Sequence, residues 1–418
     1  MDGMKKLYLF TVNYPFSHGE HLLESETQYL LKEFDSITII CSDTTAETQS
    51  YDTANNINFI RKSFRLNSSE KKSSLLNFFA LKFWVELYTI IAIYKKFPTL
   101  SIIKTILLSI KQADVVQDFL EKAILSENES SKLFFYSWWT LPLTLGMVFT
   151  KIDNPQIKII TRARAVDLYF ERHKNSYLPF RKFIYSKLDR TLCISDDGKN
   201  YIEKKINGNK PNNNVIISRV GCVNRYEYND TTNIKEIKTI VSCSNIIPLK
   251  RIELMIKSLS LINDIKINWI HFGEGEEKEN LLSLSNNLLS QKDNISYSFY
   301  GYIKNKELLD FYNNNYIDLF INVSEYEGIP VTLMEAMSFG IPPIATDVGG
   351  VSELVNNQNG YLLEKNLSHQ YLSKIIIEYL SLSLTGQKKY RANARKSWEE
   401  NYNSDSNFEI LAKTISSL

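Results

Sequence analysis

Short apolar runs rich in β-branched residues alternate with helical patterns along the whole chain. In the first half, the runs that predict strands are Lys6–Val12, Ser36–Cys41, Leu133–Ser137, Ile157–Thr161, Thr191–Ile194 and Val215–Ser218. In the second half, they are Lys238–Ser242, Lys266–Phe272, Ile295–Tyr300, Leu319–Val323, Pro343–Thr346 and Gly360–Leu363. This alternation is typical of parallel α/β sheets. Six strands in each half predict an α/β fold with two Rossmann-like lobes that face each other across a cleft.

The polar stretch 224–233 has no apolar periodicity and predicts a linker. The predicted boundaries are 1–225 for an N-terminal, acceptor-side lobe, 226–236 for the linker and 237–395 for a C-terminal, nucleotide-sugar-binding lobe. A helical pattern runs from 387 to the C-terminus. We expect residues 396–418 to form a C-terminal helix, and its packing back onto the first lobe stays open.

Residues 133–150 carry no charge, and their length is at the lower limit for a membrane span. Thr140 is a suitable N-cap, and Pro142 suits the first turn of a helix. We therefore expect a buried strand followed by a helix that begins near Thr140.

The composition limits the class of protein. A chain of 418 residues predicts two domains. The net charge of +2 gives no reason to expect a nucleic acid partner. The four cysteines lie far apart, which favours reduced thiols in a cytoplasmic protein. The first apolar run is not followed by a small-residue cleavage site, so it predicts a first strand instead of a signal peptide.

The stretch from about 61 to 111 is strongly basic and rich in aromatic and aliphatic residues. Ten Lys or Arg residues are opposed there only by Glu70 and Glu86. Basic amphipathic helices favour anionic membrane surfaces. Helices that pack on a sheet and expose a lysine face would give the same pattern, so both interpretations stay open.

The most informative motif is SEYEGIPVTLMEAMSFG, which starts at Ser324. Pro330 at a helix start leaves the amides of Val331 and Thr332 free to bind an anion. Glu327 precedes this helix and Glu335 lies on it, and a carboxylate can accept hydrogen bonds from two adjacent sugar hydroxyls. The two acids would lie about 12 Å apart along a helix. This spacing suits a ligand with hydroxyls at both ends and a diphosphate between them.

Other candidate residues follow predicted strands of the second half. Lys250 and Arg251 follow a strand and a proline, where cations can neutralise a leaving diphosphate. Gly273 lies in a glycine turn after the next strand, which is a weak signal alone. The backbone of Tyr302 and Ile303 lies at a further strand end and can meet the edge of a base.

With Pro248, Lys250 and Arg251 upstream of Glu327 and Glu335, the second half resembles the retaining glycosyltransferases of the GT-B family called GT4. The resemblance implies a nucleotide-sugar donor and no bound metal, and the chain contains no Asp-x-Asp sequence. It also implies roles for single residues. Glu335 would hold the ribose, Glu327 the hydroxyls of the transferred sugar, and Lys250 the distal phosphate. The backbone that would bind the sugar and the diphosphate consists of Gly328, Ile329, Pro330, Val331 and Thr332.

The chain departs from the family pattern at two positions. The family usually has an arginine five or six residues before the lysine, where this chain has Ser244 and Asn245. Asn245 is therefore a candidate donor contact, and the second cation is either Arg251 or absent. The block TRARAVDLYFERHKNSYLPFRKF resembles a bacterial polysaccharide-biosynthesis subgroup. Arg164 stands there in place of a His thought to contact the transferred sugar, so donor choice or activity depends on it.

The loop PFSHGEHLLESE, residues 15–26, resembles the first strand-to-helix loop of the family. Gly19 would let the backbone approach the donor phosphates. Glu20, Glu24 and Glu26 could orient an acceptor, although solvated glutamates in a first helical turn are the preferred interpretation. Arg162 and Asp167 are further acceptor-side candidates.

The sequence thus predicts a cytoplasmic, retaining, metal-independent transferase that moves a hexose-type sugar from a nucleotide diphosphate, with UDP the preferred one. The acceptor would be a growing glycan or a lipid-linked glycan, such as a surface polysaccharide precursor. No cofactor is expected, because the nucleotide sugar is a substrate. Peripheral attachment to the inner face of the cytoplasmic membrane stays open. The alternatives are a non-catalytic homologue that binds nucleotide or glycan, and a GT-B sugar-nucleotide epimerase.

Overall fold

In this computed structural model, the chain folds into two compact units. The structure describes residues 3–17, 20, 22–42, 57–128, 130–173, 175–228 and 235–418. One unit comprises Met1–Val220 together with Asp405–Leu418, and the other comprises Gly221–Ser404. Within the linker predicted at 226–236, residues 229–234 lie outside the described residues.

The described part of the first unit contains one parallel sheet of seven strands, in the order β3-β2-β1-β4-β5-β6-β7. The strands are β1 Lys5–Thr11, β2 Ser36–Cys41, β3 Ile57–Arg61, β4 Lys132–Ser137, β5 Lys158–Ala163, β6 Arg190–Cys193 and β7 Val215–Ile217. The prediction of six strands missed β3. This strand lies at the edge of the sheet and is mostly exposed, so it has no continuous apolar run.

Both faces of this sheet are covered, which explains the apolar runs of its strands. In β1, Leu7 and Leu9 belong to one buried cluster, while Tyr8 and Phe10 belong to the cluster on the opposite face. Successive side chains of a strand point to opposite faces, so a strand covered on both sides needs apolar residues at every position.

The helices of the first unit are α1 Leu22–Leu30, α2 Ser68–Ser73, α3 Leu81–Tyr88, α4 Leu100–Leu125, α5 Pro142–Asp153, α6 Ala165–Leu168, α7 Arg181–Lys187 and α8 Asp196–Tyr201. Helix α5 begins with Pro142, but its N-cap is Leu141, so the predicted N-cap at Thr140 is wrong. The Thr140 hydroxyl lies within hydrogen-bonding distance of the Thr161 hydroxyl and the Arg162 carbonyl instead.

The second unit contains a parallel sheet of six strands among the described residues, in the order β10-β9-β8-β11-β12-β13. Its strands are β8 Ile237–Cys243, β9 Lys266–Phe272, β10 Ile295–Gly301, β11 Leu319–Asn322, β12 Pro343–Thr346 and β13 Tyr361–Leu363. Its helices are α9 Ile252–Leu259, α10 Lys278–Leu288, α11 Asn305–Asn314, α12 Val331–Ser338, α13 His369–Leu380 and α14 Leu384–Asn401. All six predicted strands of this half are present.

Each sheet has one point where the strand order reverses. It lies between β1 and β4 in the first unit, and between β8 and β11 in the second. In open α/β sheets, ligands bind beyond the carboxyl ends of the strands at such a point. A ligand site is therefore expected in the loops that follow these four strands.

The C-terminal segment differs from the single helix predicted over 387–418. Helix α14 ends at Asn401, and a separate helix, α15, spans Ser404–Ser416. Phe408 and Ile415 of α15 are buried in the same apolar cluster as Leu30 and Phe34 of the first unit. This packing explains why Asp405–Leu418 belongs to the first unit.

A buried ion pair joins α1 to the first sheet. The Arg162 Nη2 atom lies 2.9 Å from the Glu26 carboxylate, and neither side chain has any exposed surface. Arg162 also donates to the Tyr136 hydroxyl at 3.0 Å and to the Ser218 carbonyl at 3.2 Å. The expectation that Glu26 is solvated is therefore wrong, and the contacts of Arg162 are structural.

Within the described residues, no single helix is both long and apolar enough to cross a membrane. The pair formed by Ser68–Phe79 and Leu81–Ile93 meets the length and composition requirement together, but it bends by 74° between the two segments.

Candidate active site

The residue Glu327 lies after β11, where the strand order of the second sheet reverses. Its Oε1 atom is 2.5 Å from the Lys250 ammonium, which follows β8. The same oxygen accepts hydrogen bonds from the Ser324 hydroxyl at 2.6 Å and from the Asn322 side-chain amide at 3.2 Å. The structure thus brings together two residues that the sequence predicted separately. Sequence reasoning missed Asn322 and Ser324, although polar residues at the end of the apolar strand β11 could have indicated them.

Helix α12 starts beside this cluster. Its N-cap is Pro330, which provides no side-chain acceptor for the free amides of the first turn, including those of Val331 and Thr332. Such amides and the helix dipole favour an anion. These groups therefore lie where a phosphate could accept their hydrogen bonds.

Two glycines hold the loop before α12 in place. Gly349 has a φ of +59°, and a Cβ atom there would lie 2.1 Å from the Glu327 carbonyl oxygen. The Gly350 amide donates to the Gly328 carbonyl at 2.8 Å. Only glycine permits both the left-handed conformation and this close approach. The position of Glu327 is therefore fixed by a loop that follows β12.

Glu335 is buried on α12, with 5% of its surface exposed. Burial raises the pKa of its carboxyl group to about 7, and a hydrogen bond from the Asn305 side chain opposes this shift. The Asn305 Nδ2 atom lies 2.5 Å from Glu335 Oε1. Asn305, at the start of α11, is a further contact that sequence reasoning missed, because no local motif marks it.

The other predicted donor contacts lie at the carboxyl ends of β8, β9 and β10. Asn245 is exposed after β8, and Tyr302 is exposed after β10, followed by the partly buried Ile303. Gly273 follows β9, with a φ of +145°, and a Cβ atom there would lie 1.9 Å from the Ser244 carbonyl oxygen. All of these residues lie at the edge of the sheet that carries Lys250, and their donor-binding roles stay predictions.

Arg251 has a different environment from Lys250. Its guanidinium donates to the backbone carbonyls of Val323 at 2.6 Å, Lys365 at 2.7 Å and Ser324 at 3.4 Å. These bonds join the loops that follow β11 and β13. A structural role accounts for them, and phosphate binding by Arg251 stays a prediction.

In the first unit, Glu20 anchors the loop after β1. Its carboxylate accepts hydrogen bonds from the amides of Val12, Asn13 and Tyr14 at 3.1 and 2.7 Å, and from the Trp139 indole at 2.5 Å. Only 2% of Glu20 is exposed, so the expectation of a solvated glutamate is wrong here as well. Gly19 lies outside the described residues.

Asp167 is also buried. Its carboxylate accepts hydrogen bonds from the backbone amides of Thr140 at 2.5 Å and Arg164 at 2.7 Å. Arg181 donates to the carbonyls of Asp167 and Thr140. Asp167 therefore connects the loop after β4 to the loop after β5, and it positions the backbone of Arg164.

The guanidinium of Arg164 lies between two indoles, with its Cζ atom 3.9 Å from the ring centroid of Trp138 and 4.6 Å from that of Trp139. Its Nε and Nη2 atoms are buried, and they have no hydrogen-bond partner in the described part of the chain. The Trp138 Nε1 atom is also buried and has no hydrogen-bond partner among the described residues. Burial, together with the charge of the nearby Arg162, lowers the pKa of Arg164 to about 10.

This arrangement leaves a net positive charge at the end of β5. Arg162 pairs with Glu26, whereas no carboxylate of the described residues forms an ion pair with Arg164. Buried donors without acceptors are rare in folded proteins and call for a partner such as a ligand. Arg164 is thus a stronger candidate for an anionic substrate group than the buried, satisfied Arg162 and Asp167.

A cavity of about 480 Å³ lies beyond the carboxyl ends of β1 and β2. Asn13, Ser42, Arg65, Gln112 and Leu141 contribute to its lining. Its volume falls in the range usual for small-molecule sites. Sequence reasoning did not find this cavity, because its walls come from five separate stretches of the chain.

No group of three or more His, Cys, Asp or Glu residues is placed to hold a metal ion in the ranges that the structure describes. The metal independence of the reaction stays a prediction.

Residues 225–397 match the family described as Glycosyl transferases group 1. The chain is 24% identical over 264 residues to the poly(ribitol-phosphate) alpha-N-acetylglucosaminyltransferase of Staphylococcus aureus (strain COL), covering 58% of this chain and 51% of that protein. It is 26% identical over 229 residues to the N-acetyl-alpha-D-glucosaminyl L-malate synthase of Bacillus anthracis, covering 50% of this chain and 55% of that protein. The chain therefore spans about half the length of these curated relatives.

Two solved structures are similar over nearly the whole chain. The apo form of the lipopolysaccharide outer core galactosyltransferase WaaB has a TM-score of 0.66 at 14% identity, covering 99% of this chain and 100% of that one. HepE from Anabaena in complex with UDP has a TM-score of 0.61 at 14% identity, with the same coverage. These similarities confirm the predicted α/β fold of the GT-B type.

The unpaired charge of Arg164 gives a test of its role. Arg164→Met removes a buried cation without a carboxylate partner, so the melting temperature should stay equal or rise. Arg162→Met is the matched control. It leaves Glu26 buried without its partner, and the free energy of unfolding should fall by about 3–5 kcal/mol. Thermal unfolding followed by circular dichroism measures both, and an equal loss for the two variants would show that Arg164 is structural.

Proposed function

We propose that this chain, a GT-B protein whose second unit is a glycosyl transferases group 1 domain, is a retaining, metal-independent hexosyltransferase. It moves a hexose-type sugar from a nucleotide diphosphate sugar onto a growing glycan. The observation that supports this most directly is the cluster of Lys250 and Glu327 beside the open start of α12, with the buried Glu335 on the same helix. This cluster offers a cation and free amides for a diphosphate, flanked by two carboxylates for hydroxyl groups.

In this proposal, Glu335 binds the ribose and Glu327 binds the hydroxyls of the transferred sugar. Lys250 is paired with Glu327 in the structure, and it exchanges this partner for the diphosphate when the donor binds. The bond from the anomeric carbon to the diphosphate oxygen breaks as the bond to the acceptor oxygen forms on the same face. The leaving diphosphate takes the acceptor proton, while Lys250 and the α12 amides stabilise its charge.

UDP is the proposed carrier, and a surface polysaccharide precursor is the proposed glycan. The similarity to HepE, solved with UDP, supports the first. The similarity to glycosyltransferases whose names include cell-surface glycans supports the second. The cavity beyond β1 and β2 is the proposed acceptor site, and the cytoplasm is the proposed location, with peripheral attachment to the inner face of the membrane.

A panel of nucleotide sugars tests the reaction and the role of Lys250 together. The wild-type protein should transfer or hydrolyse one UDP-hexose with retention at the anomeric carbon, as NMR of the product would show. Lys250→Ala should lower kcat by about 10²–10³-fold, because the leaving diphosphate loses its cation. Glu335→Ala should mainly weaken nucleotide-sugar binding in calorimetry.

Lys257→Ala is the control for that panel, since Lys257 lies on α9 and pairs only with the exposed Glu253 among the described residues. Undiminished turnover by Lys250→Ala would rule out its phosphate role. Formation of an epimer would identify an epimerase, and tight binding without turnover of any sugar would identify a non-catalytic homologue.

The raised pKa of Glu335 predicts a pH-dependent affinity. A ribose diol donates two hydrogen bonds, so binding favours the ionised carboxylate. With a pKa of about 7 in the free protein, the Kd for a nucleotide sugar should fall about tenfold between pH 6 and pH 8. An esterified diphosphate has no proton that titrates in this range. Glu335→Gln should give a flat profile, and the same slope in this variant would assign the titration to another group.

A further inference from the structure

The first unit exposes an unusual concentration of apolar side chains. Of the 27 large hydrophobic side chains that are exposed among the described residues, twelve lie within residues 75–100. We call these twelve the apolar ridge. They are Leu75, Leu76, Phe78, Phe79, Leu81, Trp84, Val85, Tyr88, Ile91, Ile93, Phe97 and Leu100. A soluble protein rarely leaves so many of them together in water.

On helix α3, the exposed apolar residues of the ridge lie on one face of the helix. Leu81, Trp84, Val85 and Tyr88 are exposed, at the spacing i, i+3, i+4 and i+7 of one helix face. Phe83, on the opposite face, is fully buried. A surface helix usually turns polar residues to the solvent, whereas α3 has apolar residues on both faces.

The most exposed part of the ridge is a corner. The segments Ser68–Phe79 and Leu81–Ile93 meet at 74°, and 83% of Phe79 and 78% of Leu81 are exposed there. Phe78 supports the corner through ring contacts at 5.7 Å with Phe79 and 5.0 Å with Trp84. Helices that lie in a membrane interface commonly carry Trp, Phe and Leu on the face that enters the lipid.

The exposed charged side chains within residues 71–104 have one sign. Lys71, Lys72, Lys95 and Lys104 are exposed, and none of them forms an ion pair within residues 57–128 or elsewhere in the described chain. Within residues 71–104 the one acidic residue, Glu86, is buried with 2% of its surface exposed. Every exposed charged side chain from 71 to 104 is thus a lysine.

The ridge is connected to the candidate acceptor side of the same unit. Glu86 of α3 accepts a hydrogen bond from the Phe180 amide at 2.7 Å. The next residue, Arg181, donates to the Asp167 carbonyl at 3.0 Å. Asp167 in turn holds the Arg164 amide. A rigid chain of contacts therefore fixes the ridge relative to Arg164.

We propose that the apolar ridge inserts into the surface of an anionic lipid bilayer, with the four lysines at the headgroups. Apolar area combined with lysines matches the interfacial region of such a membrane. A second copy of this chain fits less well, because a symmetric contact would set these lysines against one another. The link to a lipid-linked acceptor rests on the proposed function, whereas the lipid contact itself does not.

Vesicle flotation of the full chain tests this proposal. In about 50 mM salt, the protein should float with vesicles of phosphatidylglycerol and phosphatidylcholine, but not with phosphatidylcholine alone. Lys71→Gln combined with Lys72→Gln should weaken binding about 25-fold, at about fivefold for each lysine. Phe79→Glu combined with Leu81→Glu should abolish flotation. The control is Leu125→Glu, at an 84% exposed apolar position of α4 outside the ridge, which should bind like the wild type.

The possible outcomes distinguish the membrane-binding proposal from the proposed transferase reaction. The proposal is overturned if the wild-type protein stays with the unbound fraction, or if Leu125→Glu fails as completely as the ridge variant. The wild-type protein could instead fail to bind vesicles and sediment as a dimer that the ridge variant does not form. That result would show that the ridge binds a second copy of this chain. If the protein floats with vesicles but transfers no sugar, the membrane-binding proposal stands and the proposed transferase function is wrong. The ridge variant should still bind nucleotide sugars normally.

Discussion

All strand pairs in both described sheets are parallel, and this constraint determines where chemistry can occur. Parallel strands bring their carboxyl ends to one edge, so residues far apart in the sequence become neighbours. Lys250 and Glu327 meet in this way although 77 positions separate them. In the first unit, the same constraint places Trp138, after β4, against Arg164, after β5. The helices cover the faces of the sheets and leave these edges for ligands.

The sequence predicted those parts of the fold whose signals are local. The strands of the second half, Pro330 at the start of α12 and the acids around it follow from apolar runs and turn residues within a short stretch. The burial of Glu20 and Glu26 did not, because their partners Trp139 and Arg162 lie 119 and 136 positions away. The edge strand β3 was missed for a different reason, since its exposed residues give no apolar run.

The candidate site cations of the two units have different surroundings. Lys250 has a carboxylate partner in Glu327, which compensates the desolvation of its ammonium group. Arg164 has only two indole faces and no carboxylate in the described chain, which is a less favourable state for a buried charge. Residues at binding and active sites often lower the stability of the folded protein. The polar groups that are fully satisfied, Arg162 and Asp167, lie directly beside it.

Helix α15 has a consequence for how the protein is made. Phe408, Leu411 and Ile415 fill part of the core built by the first unit, but they follow the whole second unit in the chain. Domains generally fold as they emerge from the ribosome, the N-terminal one first. Here, the core of the first unit lacks these side chains until the entire second unit has been synthesised. The core of the first unit thus begins before the second unit in the chain and is completed only after it.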